Sequence, residues 1–316
     1  MRSLRRRALF LSAAFFALNA GSARAGGGLT GASLLTRPIG ARASGMGRAF
    51  TAVPGAAESV MYNPAGPGFA AGNEVYMAYM NGFAGGSYGL AAVPLRLGGL
   101  VLTPACLYYD SGKVELETQG VRETVTAELD KVAMVSGAYE PVKGLAVGGT
   151  VKFTSLRLAE AASASVTHFD LGALYRAGGG LSVGAASLNN GGDVKFEEQG
   201  DPSPATLRAG LAYRTELDPA NLFDNAADVA YSELIVTADW SRTVKEKGCY
   251  QAGLELNMKM AGELLLSLRA GYLFNRPQES LTLGFGVKKG QWDFGFGFEA
   301  SKDLGSRYPV SITRKF

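Results

Sequence analysis

The sequence predicts an all-β protein of the transmembrane class: an antiparallel β-barrel of about 14 strands, preceded by an N-terminal segment at the periplasmic side or in the lumen. Long segments alternate apolar and polar residues with period two, which is typical of strands with two different faces. Beyond the N-terminus no apolar run reaches the length of about 18 residues that a membrane-spanning helix needs. A chain that crosses a bilayer without such helices must use a closed barrel.

Composition excludes several other classes. The chain has 316 residues, of which 47% are apolar and 19% charged, so it is too apolar for disorder. Its 43 glycines keep no triplet period, which excludes collagen. With 1 His and 2 Cys we expect no metal site, no cofactor and no histidine-based catalytic residue. Period two alone leaves a soluble β-sandwich open as an alternative.

Residues 1–25 have the form of a secretory signal peptide. Four arginines precede the eleven-residue, largely apolar stretch Ala8–Leu18, and Ala23–Ala25 has the small-x-small pattern of a cleavage site. The stretch is too short to span a bilayer. Removal of this segment also removes five arginines and leaves 26 basic and 28 acidic side chains, a formal charge of −2. We therefore expect no nucleic-acid partner.

The clearest alternation runs from Tyr250 to Met260, where the even positions are all apolar and the odd positions are polar or glycine. Fourteen such segments can be marked, although twelve strands remain an alternative. The segments are Glu74–Phe83, Gly86–Arg96, Gly98–Tyr109, Glu128–Val142, Gly144–Arg157, Ser165–Arg176, Gly180–Leu188, Ala205–Arg214, Tyr231–Val244, Cys249–Met260, Leu264–Phe274, Ser280–Lys288, Trp292–Ala300 and Tyr308–Phe316.

The connections predict the orientation of the barrel. Long, polar connections such as Asp110–Ala127 and Asn189–Pro204 alternate with tight turns, and in outer-membrane barrels the tight turns face the periplasm. Both chain ends would then be periplasmic, with Thr215–Ala230 as one long periplasmic exception. Aromatic residues are expected at both membrane interfaces; they are Tyr175, Tyr213, Trp292 and Phe316 on the periplasmic side and Tyr250, Tyr272, Phe274 and Tyr308 on the outer side.

The segment before the first strand, residues 26–72, is the candidate functional region. It contains Gly-Ala-Arg-Ala-Ser-Gly-Met-Gly-Arg-Ala-Phe-Thr-Ala (residues 40–52) and Tyr-Asn-Pro-Ala-Gly (residues 62–66). Glycines permit compact turns in a narrow lumen, and Pro64 fixes the chain after Asn63. The simpler alternative is that residues 63–66 are only a turn before the first strand.

These two motifs resemble the N-terminal hatch of the PorV/PorQ family, a branch of the FadL-like fourteen-stranded barrels. The last strands, including Leu268-Arg-Ala-Gly-Tyr272, are also similar to that family. The resemblance implies a hatch over residues 26–72 and a barrel over 73–316. It places the hatch residues at Gly45, Met46, Gly47, Asn63, Pro64 and Gly66. The aromatic C-terminus at Phe316 resembles the signal that the outer-membrane barrel assembly machinery reads.

Charged residues on the polar parity are expected to face the lumen; they are His168, Asp170, Arg208, Arg214, Glu255, Lys259, Arg269, Asp293 and Glu299. Such mixed charges more often stiffen a barrel than form a substrate path. His168 and Asp170 share a face, which suggests a catalytic dyad, but we expect an ordinary polar pair because no nucleophile can be placed beside them. An enzyme is accordingly the weakest functional hypothesis.

The resemblance implies two main functions in the outer membrane of a Gram-negative bacterium. The first is passive transport of hydrophobic or small amphipathic compounds, which predicts an apolar pocket near residues 40–66 and a kink or gap in a strand. The second is a type IX secretion component that holds secreted cargo. The expected partners are outer-membrane lipid, the assembly machinery, and a hydrophobic ligand or cargo protein. The outer loops leave little room for docking a large cargo protein, which favours transport. We do not expect a Cys106–Cys249 disulfide.

Overall fold

The structure is a computed structural model that describes residues 30–37, 39–82, 85–118, 121–221, 229–276, 279–302 and 305–316. The predicted signal peptide and the first residues of the predicted hatch lie outside the described residues. Within the described part of the chain, no helix is long and apolar enough to cross a membrane.

Strands dominate the described residues. They are β1 Glu74–Asn81, β2 Ser87–Ala92, β3 Leu95–Leu97, β4 Leu100–Asp110, β5 Lys113–Thr118, β6 Val121–Thr126, β7 Glu128–Val142, β8 Leu145–Leu158, β9 Ala162–Gly178, β10 Leu181–Gly191, β11 Val194–Lys195, β12 Gly200–Asp201, β13 Thr206–Leu217, β14 Val229–Thr243, β15 Cys249–Met260, β16 Leu264–Phe274, β17 Glu279–Lys289, β18 Trp292–Ser301 and β19 Val310–Lys315. The helix α1 is Ala41–Gly45, and short 3-10 helices are Ser33–Thr36, Ala57–Met61, Gly66–Phe69, Pro219–Asn221 and Ala261–Glu263.

The wall is a closed antiparallel ring. Counting β2 and β3 as one interrupted strand, the ring of the described residues has fourteen members, and each pairs with its neighbour along the chain. The first strand β1 pairs with the last strand β19, from Glu74 opposite Lys315 to Tyr79 opposite Val310. Closure pairs the first and the last strand of the described ring, as hydrocarbon surroundings require. The predicted fourteen-stranded barrel is confirmed.

The second wall strand is interrupted, where the sequence predicted one continuous segment. Pro94 lacks an amide hydrogen, so β2 ends at Ala92 and β3 begins at Leu95. The wall nevertheless stays paired, because Val93 N donates to Pro104 O at 3.0 Å and Glu74 N donates to Pro94 O at 3.3 Å.

The structure adds detail to three connections and moves one strand boundary. The connection 110–127 contains the hairpin β5–β6, and the connection 189–204 contains the short pair β11–β12. Strand β9 begins at Ala162, three residues earlier than predicted. The predicted periplasmic turn 215–230 contains a 3-10 helix at Pro219–Asn221, and its residues 222–228 lie outside the described residues.

The wall exposes its apolar side chains and buries its polar ones, which is the reverse of a sheet in a soluble protein. On β15 the apolar Tyr250 and Leu254 are 53% and 47% exposed, whereas the polar Gln251 and Glu255 are 5% and 1% exposed. The same contrast recurs around the ring, where exposed Leu, Val and Phe side chains form a belt. A soluble sandwich would bury this face, so the sandwich alternative fails. A continuous apolar belt of this kind requires lipid as its solvent.

We expect Phe285→Arg to destabilise the barrel by about 2–4 kcal/mol, because it places a charge at mid-depth on the lipid face. Phe285 is 49% exposed near the centre of β17. Urea unfolding in lipid vesicles measures the change. The control is Tyr250→Arg, at the end of β15 in the interface zone, which should cost only about 0–1 kcal/mol. Equal costs at both positions would contradict a lipid-facing belt.

Candidate functional site

The N-terminal segment, defined here as residues 39–72, lies inside the barrel. Ile39, Met46, Phe50 and Tyr62 are all 0% exposed. Helix α1 packs against β16, β17, β18 and β19, and the 3-10 helix Gly66–Phe69 packs against β4, β7 and β8 on another part of the wall. The segment therefore crosses the lumen rather than leading directly into β1.

Wall glycines let this segment approach the sheet backbone to backbone. A Cβ atom at Gly271 would lie 2.0 Å from Gly47 N, and one at Gly148 would lie 2.3 Å from Pro64 O. At Gly172 it would lie 2.1 Å from the Oδ1 atom of Asn63. Any larger residue at these three wall positions would displace the segment. These three glycines lie on the lumen-facing side of their strands because the N-terminal segment packs directly against the backbone there.

The predicted hatch residues lie where the segment meets the wall or turns. Gly47 has a φ of 62°, and its N–H donates to Thr282 Oγ1 at 3.0 Å. Asn63 Nδ2 donates to Thr51 O at 2.9 Å and to the wall carbonyl Ala173 O at 3.0 Å. The others are also buried: Gly45, Met46, Pro64 and Gly66. That these residues belong to a moving hatch stays a prediction.

Buried ion pairs join the segment to the wall at two places. Arg42 Nη2 lies 2.7 Å from Glu255 Oε1, while Arg269 Nε lies 2.7 Å from Glu255 Oε2. Arg48 Nη2 lies 2.5 Å from Glu299 Oε2. Glu255 and Glu299 are 1% and 2% exposed, so each carboxylate depends on these arginines for its solvation.

Asp239 makes a third attachment. Its Oδ2 atom accepts hydrogen bonds from the backbone amides of Phe50 and Thr51, each at 2.9 Å, and from Thr51 Oγ1 at 2.6 Å. Arg208 Nη2 lies 3.0 Å from the same oxygen and also donates to Arg48 O at 2.8 Å. One carboxylate and one guanidinium therefore fix two wall strands and the turn after α1.

Glu58 is a buried acid within the segment itself. It is 3% exposed, and Tyr76 Oη donates to its Oε2 atom at 3.0 Å. Burial raises the pKa of Glu58 to about 7, although Arg42 and the hydrogen bond from Tyr76 act in the opposite direction. The side chain is therefore partly protonated near neutral pH.

The His168 ring forms hydrogen bonds with a hydroxyl group through each of its two nitrogens. Its Nδ1 atom lies 3.0 Å from Thr154 Oγ1, and its Nε2 atom lies 3.0 Å from Ser203 Oγ. Ser203 donates its single hydroxyl proton to Gly192 O, so Nε2–H must donate to Ser203. The imidazole cannot accept the serine proton in this arrangement, which general-base activation would require.

Asp170 pairs with a residue that the sequence analysis did not single out. Lys152 Nζ lies 2.7 Å from Asp170 Oδ2, and the two side chains are 1% and 0% exposed. Lys152 also donates to Asn189 Oδ1 at 2.6 Å. Lys152 and Asp239 both lie on the polar parity of their strands, and that signal could have identified them.

Two of the predicted lumen residues, Arg214 and Lys259, are exposed. Arg214 and Lys259 keep the inward parity but lie near the ends of β13 and β15, where the lumen opens to solvent. Arg214 Nε lies 3.6 Å from Glu233 Oε2 at this mouth. Asp293, near the start of β18, is only half-buried. The odd or even position of a residue in a strand predicts which side of the wall its side chain faces, but not how far it lies from the mouth of the barrel.

A cavity of about 540 Å³ opens at the same mouth. Its floor consists of Val53 from the N-terminal segment with Ala212 and Ile235 from the wall, all at most 5% exposed. Cationic side chains surround it, namely Lys143, Arg176 and Arg214. The site is apolar at depth and positively charged at its rim.

The rim arginines are only loosely paired. Arg176 Nη2 lies 3.9 Å from Glu140 Oε1, and its guanidinium carbon stands 4.0 Å from the centroid of the Phe69 ring. Arg176 and Arg214 are both 49% exposed. Loose, exposed pairs leave both guanidinium groups accessible to an anionic ligand group.

No protein-family model and no curated protein sequence matches the chain. Among solved structures, the toluene transporter TodX of P. putida is similar with a TM-score of 0.58 and 12% identity over 88% of this chain and 98% of that one. The chain has a FadL-like barrel fold. The CymD monoaromatic hydrocarbon channel matches with a TM-score of 0.55 and 12% identity, over 88% and 97% of the two chains. A Pseudomonas aeruginosa FadL homologue matches with a TM-score of 0.54 and 10% identity, over 87% and 98%.

We expect Asp239→Asn to lower the free energy of unfolding by about 3–5 kcal/mol, because it leaves the buried Arg208 without its counter-charge. Urea unfolding followed by tryptophan fluorescence measures the loss. Arg122→Gln is the control, since its pair with Glu117 is 72% and 57% exposed; it should change stability by less than about 0.5 kcal/mol. A cost for Asp239→Asn as small as that of the control would contradict the attachment.

The raised pKa of Glu58 predicts that the free energy of unfolding depends on pH. Its folded pKa of about 7 exceeds the ordinary value of 4.5, so its stabilising contribution is complete below pH 4.5 and is lost as pH rises through 7. The loss amounts to about 3 kcal/mol, at about 1.4 kcal/mol for each pKa unit. Glu58→Gln should remove this component, measured as the difference between variant and parent unfolding curves across pH. Parallel pH profiles for the two proteins would refute it.

Proposed function

We propose that the protein is an outer-membrane β-barrel of PorV/PorQ type that passively transports hydrophobic or small amphipathic compounds. It would reach the outer membrane of a Gram-negative bacterium after cleavage of the signal peptide. The barrel assembly machinery would recognise its C-terminal Phe316. The two hatch motifs of the sequence support the family, and the FadL-like fold is consistent with it.

The cavity at the barrel mouth is the observation that carries the proposal. A volume of about 540 Å³ falls within the range of small-molecule sites, about 300–1,000 Å³. Its apolar floor suits a hydrocarbon, and the N-terminal segment contributes Val53 to that floor and Pro54 beside it. It therefore supplies the apolar pocket near residues 40–66 that transport predicts.

The charges at the rim extend the substrate class from hydrocarbons to amphipathic compounds. Lys143, Arg176 and Arg214 can receive a carboxylate or another anionic group while the apolar part of the same molecule occupies the floor. TodX is a toluene transporter, and CymD is a monoaromatic hydrocarbon channel. Aromatic hydrocarbons and their carboxylates are accordingly the compounds that we propose to test first.

Passage requires the N-terminal segment to move, because it fills the lumen beside the cavity. The interruption at Val93–Pro94 does not offer a side exit in this conformation, since both flanking strands stay hydrogen-bonded across it. We infer that the segment acts as a hatch and that its shift past Val53 opens the route. Neither the secretion alternative nor an enzyme gains support from the described residues or from the structural neighbours.

Filling the cavity should block transport. We expect Ala212→Trp to reduce naphthoate influx into proteoliposomes severalfold, because the new side chain enters the cavity. Influx is measured by the fluorescence change when naphthoate binds albumin trapped inside, with protein-free liposomes as background. Leu211→Trp is the matched control, since the adjacent Leu211 is 51% exposed on the lipid face. Equal influx through the two variants, or influx no faster than background in the parent, would refute the proposal.

Tethering the segment tests the hatch separately. A Cβ atom at Gly68 would lie 3.4 Å from the Cβ atom of Ala138, close to the distance of about 3.5–4.5 Å in disulfides. The double variant Gly68→Cys/Ala138→Cys should lose influx when oxidised and recover it on reduction. The single variants control for the substitutions themselves. Unchanged influx in the oxidised double variant would show that this part of the segment need not move.

A further inference from the structure

Four neighbouring strands, β4, β7, β8 and β9, present an ordered surface to the lipid. Their outward residues lie opposite one another in rows that run across the strands. The two rows nearest the end with the longer connections are mostly polar, and the rows below them are largely apolar. The polar rows are Asp110, Leu129, Arg157, Ser163 and, beneath them, Tyr108, Lys131, Ser155, Ser165.

Two cations stand in these polar rows. Lys131 and Arg157 are both exposed, and neither forms an ion pair among the described residues. Leu129 is directly opposite Arg157, so Lys131 and Arg157 are diagonal neighbours, with backbones about 7–8 Å apart. The acid in the row, Asp110, accepts a hydrogen bond from Gly112 N at 2.8 Å and so is engaged by its own turn. Both cations can reach one phosphate group.

An apolar notch of about 440 Å³ lies lower on the same surface. Leu100, Tyr139 and Leu171 surround it, and its floor lies at Gly137 and Gly149, which are opposite each other on β7 and β8. The notch is continuous with the exposed apolar belt, so in a membrane it is filled by hydrocarbon.

The fold does not require glycine at these two positions. Both have ordinary negative φ values. A Cβ atom at Gly137 would come no closer than 3.9 Å to another atom, that of Leu100 Cδ1, and one at Gly149 would come no closer than 3.4 Å. The neighbouring Gly148 and Gly172 differ, because they face the lumen and make room for the N-terminal segment. The notch is therefore a feature of the lipid face alone.

The distance between the cations and the notch matches one lipid tail. Lys131 and Gly137 are six residues apart on β7, which corresponds to about 20 Å along the strand. Strand tilt of about 40° reduces the depth to about 15 Å, half of the hydrocarbon core of about 30 Å. An acyl chain that follows β7 from a head group held at Lys131 thus ends at the notch.

We propose that this surface is a binding site for lipid A, the phosphorylated and acylated glycolipid of the outer leaflet. Lys131 and Arg157 bind a phosphate, Ser155 and Ser165 hydrogen-bond the sugar, and an acyl chain descends past Ala133 into the notch. Lipid A is the occupant because the polar rows lie at the end with the longer connections, which faces outward in the proposed orientation. The site is on the outside of the wall and does not depend on transport.

Native mass spectrometry of the full chain in detergent tests the charged part of the site. Lipid A should be retained more strongly than its dephosphorylated form and more strongly than phosphatidylglycerol. The variant Lys131→Gln/Arg157→Gln should weaken lipid A binding about tenfold. Arg242→Gln is the matched control, because Arg242 is exposed on the outward parity of β14 at the same end of the barrel, and it should bind as the parent does. Equal binding by parent and double variant, or equal retention of phosphatidylglycerol, would overturn the proposal.

Gly149→Val tests the notch without changing any charge. The space around Gly149 accepts a side chain, so the variant should keep the heat resistance of the parent barrel. It should bind fully acylated lipid A less tightly while binding deacylated lipid A as the parent does. If the variant binds the fully acylated lipid as tightly as the parent, the notch does not hold a tail and the assignment of the acyl chain is wrong.

Discussion

Every backbone amide and carbonyl at the depth of the hydrocarbon must find its hydrogen-bond partner within the chain, because lipid offers none. The pairing of β1 with β19 meets this requirement by removing the last free edge. Because the sheet is closed, alternate side chains face two different environments. One set faces lipid and must be apolar, while the other set faces a lumen that contains the N-terminal segment. The inverted burial of Leu254 and Glu255 is the direct result.

The lumen poses a second problem, which the segment and the wall solve together. Carboxylates such as Glu255, Glu299 and Asp239 lie where water is scarce, and a charge there must be paired. The segment brings Arg42 and Arg48 together with the amide groups after α1, so the wall acids become its attachment points. Wall glycines allow the close approach that these short bonds need. Charge pairing and steric room are thus two parts of one interface.

The contacts between the N-terminal segment and the wall are stronger on one side of the ring than on the other, which has a functional consequence. Helix α1 and the turn after it are fixed by ion pairs, whereas Val53 and Pro54 face the cavity at the mouth. Energetically, a partial shift near Val53 is cheaper than withdrawal of the whole segment, because it breaks no buried ion pair. The outer surface is uneven as well, since its polar rows and notch lie on β4, β7, β8 and β9. Both features are superimposed on a wall of antiparallel strands that pair around the whole described ring.

The sequence by itself determined the wall strands and their faces, because period two is a local property and lipid makes its signal strong, while closure of the ring decided for fourteen strands over twelve. The bounds of Cys249–Met260 and Leu264–Phe274 followed from alternation alone. It also placed Glu255, Arg269 and Glu299 on the inner parity. Only the tertiary structure decided depth and partners: Lys259 lies at a mouth, and Glu255 meets Arg42, which is 213 positions away. Such pairs depend on where a closed ring brings distant segments together, and no local pattern records that distance.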